Sequence, residues 1–178
     1  MRDIMLDIET LSTDSHGVVT TISAVEFDLT SGTVGKEFEI AIDIKEQVDM
    51  NAIIDIPTVV WWMSQDSEAI QAMLRIKKES VEFALLSLNS WLNDIDCMNN
   101  NIKLWGNGCT FDNVMVRNLY LRHGVEFTLP YWCDNDVRTL VTLAGIDTRS
   151  FKFDGIKHNG IDDCKHQIKY CSAAYKAL

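Results

Sequence analysis

Residues 3–9 set the frame for the rest of the chain. Ile4, Leu6 and Ile8 alternate with Met5, Asp7 and Glu9, a period of two that a β-strand satisfies and a helix does not. One face of this strand is apolar and belongs against a core; the other carries two carboxylates. Two further β-branched runs follow, at 18–28 and 33–42, and the second sets Phe38, Ile40 and Ile42 against Glu37, Glu39 and Ala41. Thr30-Ser31-Gly32 between them has the composition of a turn. Three successive strands on short connections predict an antiparallel meander.

Beyond Pro57 the period changes. Residues 58–75 read as helical, with Val59, Trp62, Met63, Ile70, Met73 and Leu74 as the apolar positions. Residues 80–95 place Val81, Ala84, Leu85, Leu88, Trp91, Leu92 and Ile95 at steps of three and four behind a Ser80 cap. A short buried strand at 102–105 runs into the turn Gly106-Asn107-Gly108, then a helix at 111–123 stops at Gly124. Tyr131-Trp132-Cys133 reads as a short strand. A helix over 136–144 ends at Gly145, 149–160 is a loop, and 161–176 is the last helix. The order βββαβαβα predicts an α/β fold, a mixed five-stranded sheet flanked by helices. Chemistry in such sheets gathers at the carboxyl ends of the strands.

At 178 residues the chain is expected to form a single domain over 1–178. Its net charge is −10, from 16 Lys and Arg against 26 Asp and Glu. That balance argues against coating nucleic acid or anionic membrane by bulk charge. It leaves room for an enzyme that handles phosphates through metal ions held by carboxylates. No apolar run approaches the roughly 18 residues of a membrane helix, and Met1-Arg2-Asp3-Ile4 predicts no secretory leader. Cys97, Cys109, Cys133, Cys164 and Cys171 are odd in number and include no Cys-x-x-Cys pair, so reduced thiols in a cytoplasmic protein are expected.

The acidic residues carry the functional signal. Asp7 and Glu9, two apart on a strand, leave the same face, and two carboxylates held there repel unless a cation lies between them. Mg²⁺ and Mn²⁺ favour such oxygen ligands. The pattern alone is weak: with 17 Asp and nine Glu, Asp-x-Glu recurs by chance, and Asp66-Ser67-Glu68 reads as a solvated helix surface. Asp112 falls in the first turn of a helix that follows a strand, where it would complement the helix dipole and also face the carboxyl edge of the sheet. His158 and Asp163 span the entry to the last helix; a neutral imidazole there could take a proton from water near pH 7. Asp162 points about 100° away from its neighbour on a helix. The segment 149–169 is net +2, leaving −12 for the remainder, and a basic loop beside clustered acids suits an anionic substrate.

The ordered set resembles the DEDDh branch of the DEDD exonucleases, which share the ribonuclease H-like (DnaQ-like) fold. Leu6-Asp7-Ile8-Glu9-Thr10 is similar to the family's first motif, Gly106-Asn107-Gly108 through Phe111-Asp112-Asn113 to its second, and His158-Asn159-Gly160-Ile161-Asp162-Asp163-Cys164 to its third. Thr58-Val59-Val60-Trp61-Trp62 and Arg138-Thr139-Leu140 are similar to segments of the small phage and prophage exodeoxyribonuclease VIII-like proteins and of related small bacterial exoribonucleases. The resemblance implies a 3′→5′ exonuclease that holds two Mg²⁺ or Mn²⁺ ions on Asp7, Glu9, Asp112 and Asp163. It implies His158 as the general base that deprotonates the attacking water, and release of nucleoside 5′-monophosphates from the 3′ end. Thr10 and Leu11 would contact the terminal nucleotide. Trp61 and Trp62 are candidates for stacking on a base, with at least one of them in the core. The implied partner is the 3′ end of single-stranded DNA or RNA, with a slight lean to DNA from the phage-like segments, in a bacterial or phage-infected cytoplasm. The resemblance allows a homodimer.

Two other readings fit parts of the sequence. Asp7-Ile8-Glu9-Thr10 is near the Asp-x-Asp-x-Thr of haloacid dehalogenase-type phosphatases, but that chemistry wants Asp where Glu9 stands. A nuclease-like fold kept as a binding module is the non-catalytic alternative; all five expected site residues are present, which counts against it.

Overall fold

The alternating segment is strand β1 (Arg2–Thr10), which pairs antiparallel with β2 (Val19–Phe27), itself antiparallel to β3 (Val34–Ile42). In this computed structural model, which describes residues 2–75, 77–95 and 102–178, β1 also pairs in parallel with β5 (Ile102–Gly106). Two short strands complete a mixed sheet: β4 (Lys78–Glu79) beside β3 and β6 (Asp134–Asp136) beside β5, both parallel, giving the order β4-β3-β2-β1-β5-β6. Among the described residues seven α-helices accompany it: α1 (Ile44–Asp49), α2 (Ile56–Met63), α3 (Ser67–Arg75), α4 (Val81–Ile95), α5 (Asp112–Arg122), α6 (Val137–Ala144) and α7 (Gly160–Ala177). None of them is long and apolar enough to cross a membrane.

Both faces of the sheet are covered. Ile4, Leu6, Ile8, Ile22 and Leu104 pack with Leu85, Leu88 and Leu92 of α4 and with Met115, Val116 and Leu119 of α5. On the other face Met5, Val25 and Trp105 meet Val137 and Val141 of α6 and Cys164, Ile168, Cys171 and Ala174 of α7. So β1 is buried on both sides: its second face starts at Asp3, which accepts from Trp105 Nε1 at 2.8 Å, passes through the apolar Met5 and turns acidic again at Asp7 and Glu9. Each of these apolar side chains contributes on the order of 1.5–3 kcal/mol through burial.

Several expectations need correction. The helical run over 58–75 is two helices, α2 and α3, broken at Ser64, the C-cap of α2. The helix α1 was not legible, nor was the two-residue β4, which alone raises the sheet from the five strands expected to six among the described residues. Tyr131-Trp132-Cys133 is a turn of 3-10 helix, and the strand is the polar triplet that follows it. Asp134 and Asp136 enter a strand because each meets a fixed donor. The Arg117 guanidinium forks onto Asp134 with two 2.8 Å hydrogen bonds. Asp136 accepts from the Thr139 N–H at the start of α6 and from the Cys109 N–H, both at 2.7 Å. Met73 and Leu74 lie outside the described side chains, and Cys97 outside the described residues. Ser80 does cap α4, accepting from Phe83 N–H at 3.3 Å.

The register explains where a site can form. Leu6 pairs with Gly106, the last residue of β5. The remainder of β1, from Asp7 onward, outruns β5 and keeps only β2 beside it, with Asp7 opposite Ser23 and Glu9 opposite Thr21. The freed flank of β1 receives the first turn of α5, and α7 begins over the same end of the sheet.

Candidate active site

Five side chains converge at this end of β1. Asp7 and Glu9 share one face of the strand. Gly106 lets α5 start close by: a Cβ on it would lie 2.3 Å from Asn113 Oδ1 and 3.3 Å from the Asp112 Cβ, so glycine is required for Asp112 to reach the sheet. Asp163 arrives in the first turn of α7, and His158 from the loop before it. The ligand atoms of Glu9, His158 and Asp163 lie within 4.8 Å of one another. Glu9 (9% exposed) and Asp112 (5%) are buried, whereas Asp7, Asp163 and His158 are half-buried.

The loop that delivers His158 is built by its own acids. Asp163 Oδ2 accepts the His158 backbone N–H at 2.8 Å, Asp162 Oδ2 accepts that of Ile156 at 2.9 Å, and Asn159 caps α7 by accepting from Asp162 N–H at 3.2 Å. Asp162 is thereby committed to the loop. His158 sits in the left-handed region with φ 63°, a conformation a non-glycine residue holds only when its surroundings impose it. Gly160 fixes how near α7 can come: a Cβ there would lie 2.2 Å from Ser23 Oγ and 2.6 Å from Ser23 Cβ, and Ser23 is itself buried in β2. Gly160→Ala is therefore expected to lower stability by about 1–3 kcal/mol. It should lower turnover by up to about 100-fold as Asp163 and His158 are pushed off β1. Melting curves and turnover of the variant check this, and the double variant with Ser23→Gly should recover both.

The acids are held against their own repulsion. Burial, then Asp112 and Asp163, push the Asp7 carboxyl well above the ordinary carboxylate range. Burial and the neighbouring Asp7 raise Glu9 to about 10. Burial raises Asp112 to about 7, although the Arg138 guanidinium opposes it, and raises Asp163 to about 6 despite the His158 N–H. Burial and Lys157 lower His158, so its imidazole is neutral at pH 7. Four carboxylates that cannot ionise together without help, with oxygen donors predominating, fit a divalent cation of the Mg²⁺ or Mn²⁺ type.

A stability prediction follows from the sign of these shifts. In the unfolded chain the four acids release their protons near pH 4; in the metal-free fold they keep them longer. The folded state then binds more protons, so unfolding free energy falls as pH rises. Asp163 contributes up to pH about 6, Asp112 up to about 7, and Glu9 beyond both. Asp55, lowered by hydrogen bonds from Thr58, acts in the opposite sense below pH 4, and His123, His158 and His166, lowered by burial, oppose the trend up to about pH 6.5, where the four acids outnumber them. In EDTA the melting temperature should therefore fall by several degrees from pH 5 to pH 8. Mn²⁺ should flatten the fall by favouring the ionised acids. An EDTA curve that stays flat or rises above pH 7, where the histidines no longer titrate, would refute the repulsion.

A cleft of about 680 Å³ opens beside the acids, lined by Ile8, Glu9, Thr10, Pro57, Trp61 and Phe111 among others. The two tryptophans differ. Trp62 is 4% exposed and donates through Nε1 to the Thr10 carbonyl at 2.8 Å; Trp61 is 43% exposed. Both meet the His158 ring edge-on, at centroid distances of 4.9 Å for Trp61 and 5.9 Å for Trp62. Asp55 pins α2 to this end of β1 by accepting from Thr58 N–H and Thr13 N–H, both at 2.8 Å. Thr10 lines the cleft; Leu11 does not, its backbone being bonded to Val18 and Asp55. The basic segment is less free than its composition implies, since Arg149 pairs with Asp147 and Lys165 with Glu37. Sequence reasoning missed Gln167, whose Nε2 donates to Asp7 Oδ1 at 2.8 Å. Its spacing of four from Asp163 on one helix face was the available signal.

With the geometry in place, relatives can be compared. A family model described as the 3'-5' exoribonuclease Rv2179c-like domain matches residues 2–175. No curated protein matches in sequence. The nuclease domain of 3'hExo, a DEDDh family member solved bound to rAMP, superposes with a TM-score of 0.61 at 10% identity, covering 98% of this chain and 92% of that one. A 3'-exonuclease solved in recognition of a histone mRNA stem-loop gives 0.63 at 11%, covering 98% and 81%. E. coli exonuclease I in complex with a dT13 oligonucleotide gives 0.59 at 15%; 98% of this chain covers 40% of that one. At these identities the structural likeness establishes the fold.

Proposed function

The chain belongs to the 3'-5' exoribonuclease Rv2179c-like domain family, and from that premise we propose that it removes nucleotides one at a time from the 3′ end of a single strand, RNA first among substrates, as a single cytoplasmic domain. The observation that carries this reading is the convergence of four carboxylates and an imidazole from β1, α5 and the entry to α7. The family's description as exoribonuclease weighs more than the lean to DNA drawn from phage-like segments.

Asp7, Glu9 and Asp163 would hold one Mg²⁺ or Mn²⁺ ion, and Asp7 with Asp112 a second. Such ions supply Lewis-acid stabilisation of charge developing on phosphate oxygens. The protein's own groups do the remainder. His158, neutral at pH 7 because burial and Lys157 lower its pKa, accepts a proton from the attacking water through an imidazole nitrogen. Its Asp163-bound backbone holds the ring beside Glu9 and Asp163. Trp61 offers the terminal base an exposed indole at the mouth of the cleft, while Trp62 works from behind by bracing Thr10 and His158. The cleft's volume suits a nucleotide-sized group.

The test uses two 5′-labelled single strands of one sequence, RNA and DNA, with Mn²⁺ or with EDTA. A descending ladder that EDTA abolishes, faster on RNA, is expected. No cleavage of either strand would overturn the exonuclease reading, and faster DNA cleavage would overturn the sugar preference.

A further inference from the structure

We propose that Gln167 is a positioning residue for Asp7: its amide N–H fixes the rotamer of that carboxylate and leaves the second oxygen to the cation. Three observations support this beyond the reading of the acids as a divalent-cation site, on which it rests. The contact is specific, Nε2 to Asp7 Oδ1 at 2.8 Å, while Asp7 Oδ2 lies toward the start of α7, 3.5 Å from where a Cβ on Gly160 would stand. Gln167 follows Asp163 by four residues, so one face of α7 delivers a carboxylate to the site and a donor to a second carboxylate on β1.

The amide is also held at a cost. Gln167 is 6% exposed, and its Oε1 is buried without a hydrogen-bond partner among the described residues. The residues around it on the sheet-facing side of α7, Cys164, Ile168, Cys171 and Ala174, are apolar. An apolar side chain of the same length would avoid the stranded carbonyl. An amide keeps its N–H at every pH and brings no charge, so it can orient Asp7 without adding to the repulsion in the cluster or competing for the cation.

The experiment titrates Mn²⁺ against the melting temperature of wild type, Gln167→Met and Gln167→Asn, with turnover of a labelled oligonucleotide measured alongside. The Met variant keeps the length and loses the donor; the Asn variant keeps a buried amide but withdraws it by one methylene, and carries the test alone if the first does not fold. For both, the half-saturating Mn²⁺ concentration should rise about 10-fold or more. kcat should fall with KM for the oligonucleotide unchanged. The melting temperature in EDTA should match wild type or exceed it for the Met variant, which sheds the stranded carbonyl, and fall for the Asn variant, which keeps it and leaves a cavity. Unchanged Mn²⁺ midpoints and unchanged kcat would overturn the role of Gln167. A wild type that Mn²⁺ does not stabilise would instead overturn the cation site itself, and the proposal with it.

Discussion

Asp7→Asn should reduce exonuclease turnover by at least about 100- to 1,000-fold, the loss typical of removing one preorganised electrostatic group from a transition state, and should at the same time make the metal-free protein more stable. The two effects have one cause. Burial, then Asp112 and Asp163, push Asp7 up, and burial together with Asp7 in turn raises Glu9. An asparagine is the same shape, and its Oδ1 can still accept from Gln167, so packing is retained while one of the repelling charges goes. In EDTA at pH 8 the variant should melt higher than wild type by a few degrees, on the order of 1–2 kcal/mol. In saturating Mn²⁺ the order should reverse, because only the wild type gains from binding the ion. Melting curves of both proteins with and without Mn²⁺, beside an oligonucleotide degradation assay, check the pair of outcomes. A variant less stable than wild type in EDTA would show that the carboxylate stabilises the metal-free fold, contrary to the arrangement of charges around it.

The same opposition explains which parts of the molecule were legible in the sequence. The alternation over 3–9, the stripe of α4 and the glycine stops at Gly124 and Gly145 are local signals with one physical meaning each, and they hold; both glycines have positive φ, 65° and 66°. The strand Asp134–Asp136 was invisible because its stability is not local. Its side chains are satisfied by Arg117 and by the backbone of Cys109 and Thr139, partners that no pattern within the triplet discloses. The exposed Tyr131 and Trp132 supplied the aromatic signal that misplaced it by three residues. The acids of the site were readable because motif spacing and strand face place them. Gln167 was not, since a lone glutamine in a helix is ordinarily surface, and only the approach of α7 to β1 makes it a partner of Asp7.

That approach depends on residues with no chemistry of their own. Gly106 admits α5 and Gly160 admits α7, each at a point where a single methyl group would collide. The strand supplies two carboxylates by its period, but the helices supply theirs only because two glycines let them start within reach. The site is thus specified as much by what is left out of the chain as by the acids in it.

His158→Asn should lower turnover by about 100-fold or more, the usual contribution of a general base, while leaving the Mn²⁺-induced rise in melting temperature close to that of wild type. The second half of this expectation separates two roles that the geometry brings together. The imidazole lies within 4.8 Å of the ligand atoms of Glu9 and Asp163, near enough to be a ligand itself, yet three features favour the base. The donor set is otherwise oxygen, as a hard cation prefers. The ring is held edge-on against Trp61 and Trp62, which line the cleft. Its pKa is lowered by burial and Lys157, so it is ready to accept a proton at neutral pH. Asparagine also tolerates the left-handed backbone that His158 adopts, so the loop and its bond to Asp163 should persist. If His158 is the base, the acid limb of the kcat profile should flatten in the variant with its metal requirement unchanged. If the Mn²⁺ midpoint moves with the rate, the imidazole is a ligand, and the proton of the attacking water must leave by another path.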